Sequence, residues 1–336
     1  MLSRVAEAVY WMSRYVERAE NTARFIDVNL HLMLDLPGRE SPQWDPLVTT
    51  TGDLTRYKEL YDTFSEENVI RFLTFDTNYS NSILSCLRNA RENGRSIREI
   101  ISSEMWEQVN SLYLMVKEAA VEDREHSTPH EFFRHIKMSK HLLTGLAEEV
   151  MSHGEGWQFF RLGMMLERAD KTSRILDVKY FILLPRLDYA GTPYDNIEWA
   201  AVLKSASALE MYRKRFHRIA PVNVAEFLIF DPIFPRSIRF CVTGAEQSLH
   251  TIAGTPIGAF SNTAERRIGR IKAELDYGDM TEVFGQGLHE YIDALQTKLN
   301  DVGIAVGETF FGYGIQENGS ETPPPARSRQ SQTTSE

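Results

Sequence analysis

Absences narrow this sequence first. Only two of its 336 residues are cysteine, Cys86 and Cys241, far apart and in no CxxC. A disulfide framework is therefore ruled out, and a reducing compartment is expected. No window supplies the roughly 20 apolar residues of a spanning helix. The N-terminus carries Arg4, Glu7, Arg14 and Glu17 and has no apolar core of a signal peptide. Positive charge is in deficit: the net charge is -10, which argues against a nucleic-acid-binding face. Together these features predict a soluble cytoplasmic protein that binds neither membrane nor nucleic acid. The phosphate-loop patterns GxGxxG and GxxxxGKS/T are missing, as are GxSxG and HExxH. No glutamate has a histidine three residues on, as di-iron bundles require. Asp27/His31, Glu149/His153 and His126/His130 share only one-turn spacing. The sequence thus predicts no metal and no cofactor.

What remains is helical periodicity, because the 20 glycines and 13 prolines gather in a few clusters. The first helix is predicted from about Ala6 to Leu34, ending before Leu36-Pro37-Gly38. Helical spacing continues over Leu47–Phe64. Ser65 caps a short helix through Val69, Phe72 and Leu73, and Phe75–Ser82 is a polar turn. Further helices are expected over Ser80–Asn93 (ended by Gly94), from Ser96 to Met105, over Trp106–Val121, and over His130–Met151 after a charged bend at Glu122–Pro129. The second half repeats this rhythm: Trp157–Leu184 ended by Pro185, Trp199–Arg218, a short helix from Pro221, Ile238–Ile252, Ser261–Tyr277, and Asp279–Val306 with a possible break. From Ile315 the tail lacks apolar residues and reads as disordered. No strand series appears, so the expected fold class is all-α.

One stretch occurs twice. Val16–Val28 aligns with Leu166–Val178 at an offset of 150, pairing Glu17/Glu167, Arg18/Arg168, Ala19/Ala169, Thr22/Thr172, Arg24/Arg174 and Asp27/Asp177 as identities. Phe72-Leu73-Thr74-Phe75-Asp76 then aligns with Phe227-Leu228-Ile229-Phe230-Asp231 at an offset of 155, followed by Ser82/Ser237 and Cys86/Cys241. Two blocks in the same order imply a duplicated helical unit. The expected architecture is two pseudo-symmetric bundles, residues 1–151 and 152–314, with a tail over 315–336. The cysteines fall at equivalent apolar positions and read as buried, unreactive thiols.

On an ideal helix Glu17, Asn21 and Arg24 share one stripe, opposite Tyr15, Ala19, Thr22 and Ile26. Three readings stand. The stripe can be a solvated face of i,i+3 and i,i+4 pairs, although such a face gives no reason to keep identities through a duplication. It can be an ion-pair network between the two Glu-Arg helices, with Glu17 facing Arg168 or Arg174 and Glu167 facing Arg18 or Arg24. It can also line a ligand site. Carboxylates hold an ammonium and arginines hold a carboxylate or phosphate bidentately, which suits a peptide, an aminoacyl group or an acyl phosphate. In the site reading Arg14, Glu20, Asn21, Arg24, Asp170 and Arg174 bind the ligand. If the site is catalytic, Glu17 or Glu167 is the general base, and Arg18 or Arg168 stabilises an oxyanion. The turns Asn78–Ser82 and Phe234–Ser237 sit at helix N-termini. They can bind anions, but N-capping by Ser80 or Asn81 is the plainer expectation.

These residues carry a resemblance. Leu2-Ser3-Arg4-Val5-Ala6-Glu7 followed by Tyr10–Arg24, then Ser102–Glu107, Gly163–Asp177 and Phe234–Ser237, are similar to the bacterial alpha-E family, named for its Glu-Arg dipeptide. The resemblance covers about residues 1–310. It implies an all-helical fold and the company of a circularly permuted ATP-grasp amide ligase, with transglutaminase-like and proteasome-related peptidases as further associates. It assigns no catalytic residue. The functional expectation is a helical binding or scaffold component of an ATP-grasp-linked peptide synthesis or modification system. The alternatives are an enzyme acting on a peptide or activated acyl group, and a pure protein-interaction module.

Overall fold

The structure, a computed structural model, describes residues 1–35, 44–122, 129–183 and 193–312. Among these residues every regular element is helical. Helix α1 spans Ser3–Asp35, α2 Asp45–Thr51, α3 Leu54–Leu60, α4 Glu66–Thr74, α5 Ile83–Ser96, α6 Ser103–Glu122 and α7 Pro129–Val150. Helix α8 spans Glu155–Leu183, α9 Pro193–Ser205, α10 Leu209–Arg215, α11 Pro221–Phe230, α12 Ile238–Ala253, α13 Thr263–Tyr277, α14 Met280–Gln286 and α15 Leu288–Val306, and a π-helical turn closes the described chain at Gly307–Phe311. No helix is long and apolar enough to cross a membrane. The expected tail, the stop at Pro185 and most of the bend at Glu122–Pro129 lie outside the described residues.

Local chemistry explains where the helices start and stop. Ser65, Ser82, Ser237, Asn262 and Asp279 each accept a backbone N–H of the first turn, satisfying a donor that the helix itself cannot. The two turns are thus capped by Ser82 and Ser237, and not by Ser80 or Asn81. Two single helices expected from periodicity are broken. Gly52, with φ +83°, parts α2 from α3, and Ser207, with φ +51°, parts α9 from α10. Gly287, with φ +102°, parts α14 from α15. Gly94 does not end its helix. It lies buried inside α5, where a Cβ would press the Met12 sulfur at 3.2 Å, so its role is close packing and not termination. Residues 97–100 form a turn, and the next helix begins at Ser103 instead of Ser96.

The two longest helices, α1 and α8, pack on each other along the middle of the molecule. Helix α1 also packs on α5, α7 and α9, and α8 on α12, α15 and α2. They approach closely at Gly163, where a side chain would collide with the Tyr10 carbonyl oxygen and Ser13 Oγ. Two apolar cores flank this crossing. One joins Val5–Val16 of α1 to α8 and most of the second half. The other joins Ala19, Ala23 and Ile26 of α1 to α2–α7. Each large side chain so buried contributes about 1.5–3 kcal/mol. Helix α1 takes part in both cores and α8 in the first, and with their neighbouring helices both have little surface left to offer to solvent.

Candidate functional site

That placement decides the polar stripe. Glu17 and Glu167 are both 0% exposed, and Glu20, Asn21, Arg24, Arg168 and Asp170 are buried. The solvated-face reading is overturned, because neighbouring helices cover this stretch of α1 and α8. Unpaired, such carboxylates would be prohibitive to bury, so the question is what holds them.

They hold each other's helices. Arg168 of α8 donates from Nε to Glu17 Oε1 at 2.9 Å and from Nη2 to Oε2 at 3.3 Å. Arg18 of α1 donates from Nε to Glu167 Oε1 at 2.7 Å and from Nη2 to Oε2 at 3.1 Å. The two bidentate forks run in opposite directions across the α1–α8 crossing. Arg14 adds a bond from Nε to Glu167 Oε2 at 2.8 Å and lies over the Trp11 ring, 4.9 Å from its centroid. Lys140 of α7 reaches Glu17 Oε2 at 2.8 Å. Glu20 receives Arg236 Nη2 at 2.8 Å and also pairs with Arg24. Asp170 pairs with Arg174 and Lys171 at 3.0 and 2.9 Å. Of the cross-helix pairings allowed by the sequence, Glu17–Arg168 and Glu167–Arg18 form. Arg24 and Arg174 turn to carboxylates on their own helices.

The electrostatics follow. Burial pushes Glu17 upward, but Arg168, Lys140 and Arg236 outweigh it and hold the carboxyl well below the usual range. Burial is likewise overcome at Glu167 by Arg18 and Arg14, and at Asp170 by Arg174 and Lys171, so both are held low. Glu20 is lowered to about 2, burial being opposed by Arg236 and Arg24. Lys140 moves the other way. Burial lowers it to about 8, Glu17 resists, and Arg168 and Arg236 repel it further. Cys86 and Cys241 are buried free thiols pushed up to about 12 by burial.

The seam opens on one side. A cavity of about 50 Å³ is lined by Arg18, Lys171 and Arg174 together with Asp53, Tyr79 and Asn81. That volume admits a few waters or a small ionic group. Arg174 Nη1 donates to the Thr50 and Thr51 carbonyls at 3.3 and 3.4 Å, beside Gly52, whose left-handed backbone brings α2 against it. Asp53 accepts from Tyr79 Oη at 2.6 Å. Across the seam Arg24 pairs with the hydroxyl of Ser207, whose backbone is also left-handed.

A family described as a predicted alpha-helical domain with a conserved ER motif matches residues 1–311. The chain belongs to the Alpha-E family. The Glu17-Arg18 and Glu167-Arg168 dipeptides therefore exchange partners across the interface of two Alpha-E helices. Among its relatives are uncharacterised proteins of Mycobacterium bovis and of Mycobacterium tuberculosis strain CDC 1551, each 24% identical over 332 residues, and one of strain H37Rv at 23%. The match covers 89% of this chain but 36% of each relative, so the chain spans about a third of the length of the relatives it matches. No solved structure matches it.

Several residues of this Alpha-E seam were not among those predicted from sequence. Lys140, Asp53 and Tyr79 come from elements far from either dipeptide in the chain. Arg236 and Asn81 had one signal. They occupy equivalent places in the repeated turns, and both reach the seam, Arg236 to Glu20 and Asn21, and Asn81 to Arg18.

Proposed function

We propose that this chain is a helical binding component of an ATP-grasp-linked system for peptide synthesis or modification, and that the pocket beside its Glu-Arg seam takes the charged end of a peptide-like or acyl-phosphate ligand. One observation carries the reading: among the described residues eight cationic side chains of the seam pair with four carboxylates, and Asp53 at the cavity is a fifth. The surplus positive charge faces the cavity through Arg18, Lys171 and Arg174. An anionic group satisfies that surplus, and Asp53 on the same wall suits an ammonium. The greater length of the relatives supports a component that works alongside further domains. The ligase, and the transglutaminase-like and proteasome-related peptidases, enter from the family's company alone.

The chemistry of the seam favours anchoring over turnover. A general base works best with a pKa near the operating pH and a free lone pair. Glu17 and Glu167 are held low, and both oxygens of each carboxylate already accept from a guanidinium or ammonium. We infer further that the chain arose by duplication of one helical unit. Supporting this are the reciprocal Glu-Arg forks, the Ser82 and Ser237 caps, and the Asp27–His130 and Asp177–His289 contacts, both 2.7 Å.

Calorimetric titration tests the binding reading, with a dipeptide, inorganic phosphate and acetyl phosphate as probes. At least one binds wild type, and Arg174→Ala, which leaves both cross-helix forks in place, weakens it at least tenfold. No heat from any probe, together with ligase activity unchanged when this chain is left out, overturns the proposal. The full pairing of every seam carboxylate supports one rival, a pure interaction module. Co-purification with the ligase in the absence of any ligand binding decides for that rival.

A further inference from the structure

We infer that Asp27, His31 and His130 form a binding site for a divalent transition-metal cation of the zinc class, apart from the Glu-Arg seam. Asp27 and His31 stand one turn apart near the end of α1, and α7 brings His130 beside them. One ligand atom from each lies within 4.8 Å of the other two, and these are the only three histidine, cysteine or carboxylate residues so arranged among the described residues. His130 Nδ1 lies 2.7 Å from Asp27 Oδ1, and the rings of His31 and His130 are 4.6 Å apart between centroids. Two imidazoles and a carboxylate are a donor set that zinc and its neighbours accept and magnesium does not favour.

The Asp27–His130 pair needs little adjustment, and His31, within 4.8 Å of both, has at most about 1.5 Å to close. Zinc bonds nitrogen and oxygen at about 2.0–2.2 Å, so tetrahedral ligands sit roughly 3.3 Å apart. Asp27 Oδ1 and His130 Nδ1 would separate by about 0.6 Å as the cation replaces the proton between them. The Asp27 side chain is 4% exposed and that of His130 is 51% exposed, so the carboxylate is preset while the imidazole leaves access from solvent. Lys137 holds the other oxygen, Asp27 Oδ2, which leaves Oδ1 as the single carboxylate ligand. A fourth position remains for water.

The second half of the chain supplies a comparison. Asp177 and His289 make the same 2.7 Å contact, so the Asp–His pair alone serves to join two helices. The position matching His31 at the 150-residue offset is Phe181. The second imidazole is thus an addition at the first site, and helix joining does not account for it.

Calorimetry with zinc chloride on the full chain tests the assignment, with magnesium chloride as the contrast and circular dichroism to confirm that each variant is folded. One zinc equivalent binds saturably and magnesium gives no comparable heat. His31→Ala and Asp27→Asn each weaken zinc binding at least tenfold, while His289→Ala leaves it unchanged. His31→Ala is the informative variant, because it removes a ligand without touching the Asp27–His130 contact. Absence of zinc binding to wild type overturns the inference. So does binding that survives His31→Ala intact, which would locate the zinc at other histidines.

Discussion

Glu167→Gln puts the seam to its most direct test. Glu167 is fully buried and accepts three guanidinium hydrogen bonds, from Arg14 Nε at 2.8 Å and from Arg18 Nε and Nη2 at 2.7 and 3.1 Å. A glutamine keeps the shape but can accept through only one oxygen, and its amide N–H₂ then faces a donor. One or two charge-assisted bonds are lost, according to which way the amide is turned, at about 1.5–3 kcal/mol each. The Arg14 and Arg18 side chains are 15% and 14% exposed, so partial hydration offsets some of that loss. The expected cost is about 3 kcal/mol, at the lower end for breaking a buried pair. For a chain of this size, with about 2.1 cal/mol/K of unfolding entropy per residue, that corresponds to a fall in Tm of roughly 4 °C. Differential scanning calorimetry at pH 7 measures it. Glu59→Gln is the control, since its pair with Arg56 is about half exposed, and it should move Tm by less than about 1 °C. Because Glu167 is held low, it stays ionised in moderate acid, and the gap between wild type and variant should persist at pH 5. A Glu167→Gln variant melting within about 2 °C of wild type would refute the claim that the forks hold α1 to α8.

Gly163→Ala drives a methyl into the α1 backbone at Tyr10, where no side chain can swing aside; a loss of about 2 kcal/mol or more is expected in urea unfolding. Glu20 falls from an ordinary value of 4.5 to about 2 on folding. A group lowered in this way stabilises fully above its unfolded value and loses that contribution as pH falls through the folded one, so about 3 kcal/mol should disappear between pH 4.5 and 2. Glu20→Gln should flatten that limb of the stability–pH curve, and an unchanged limb refutes the assignment. Lys140 falls from 10.5 to about 8. Its buried charge therefore costs stability in full below pH 8, and the cost is relieved as pH rises towards 10.5. Lys140→Met leaves Glu17 with Arg168 and Arg236, and should fall within about 1 kcal/mol of wild type at pH 7 in chemical denaturation. Cys86 and Cys241, buried and with thiols near 12, should resist a thiol reagent at pH 8 until the chain unfolds.

Much of the fold was legible because helical burial is periodic. The apolar spacing of α1, α7, α8, α12 and α13 located these helices to within a few residues, and the Ser65 cap was read from its side-chain chemistry. The misplaced boundaries turned on backbone states that periodicity does not encode. Ser207 adopts a left-handed conformation that few non-glycine residues accept, and Arg24 pairs with its hydroxyl. Gly94 looked like a stop, yet serves as a gap for Met12.

The sequence by itself determined that the chain is helical, that its Glu-Arg dipeptide occurs twice in matched surroundings, and that no familiar catalytic or phosphate-binding motif is present. Each of these depends on neighbours along the chain. Tertiary structure alone decided that the polar stripe is buried, that Arg18 reaches Glu167 while Arg24 stays with Glu20, and that Lys140, Arg236 and Asp53 join the site. It also brought His130 to Asp27 and His31. The physical reason is common to all of these. A charged side chain on one helix is equally compatible with water, with a partner on a facing helix or with a ligand. Only the packing of α1 against α8, under the helices that cover them both, removes the water and selects the partner.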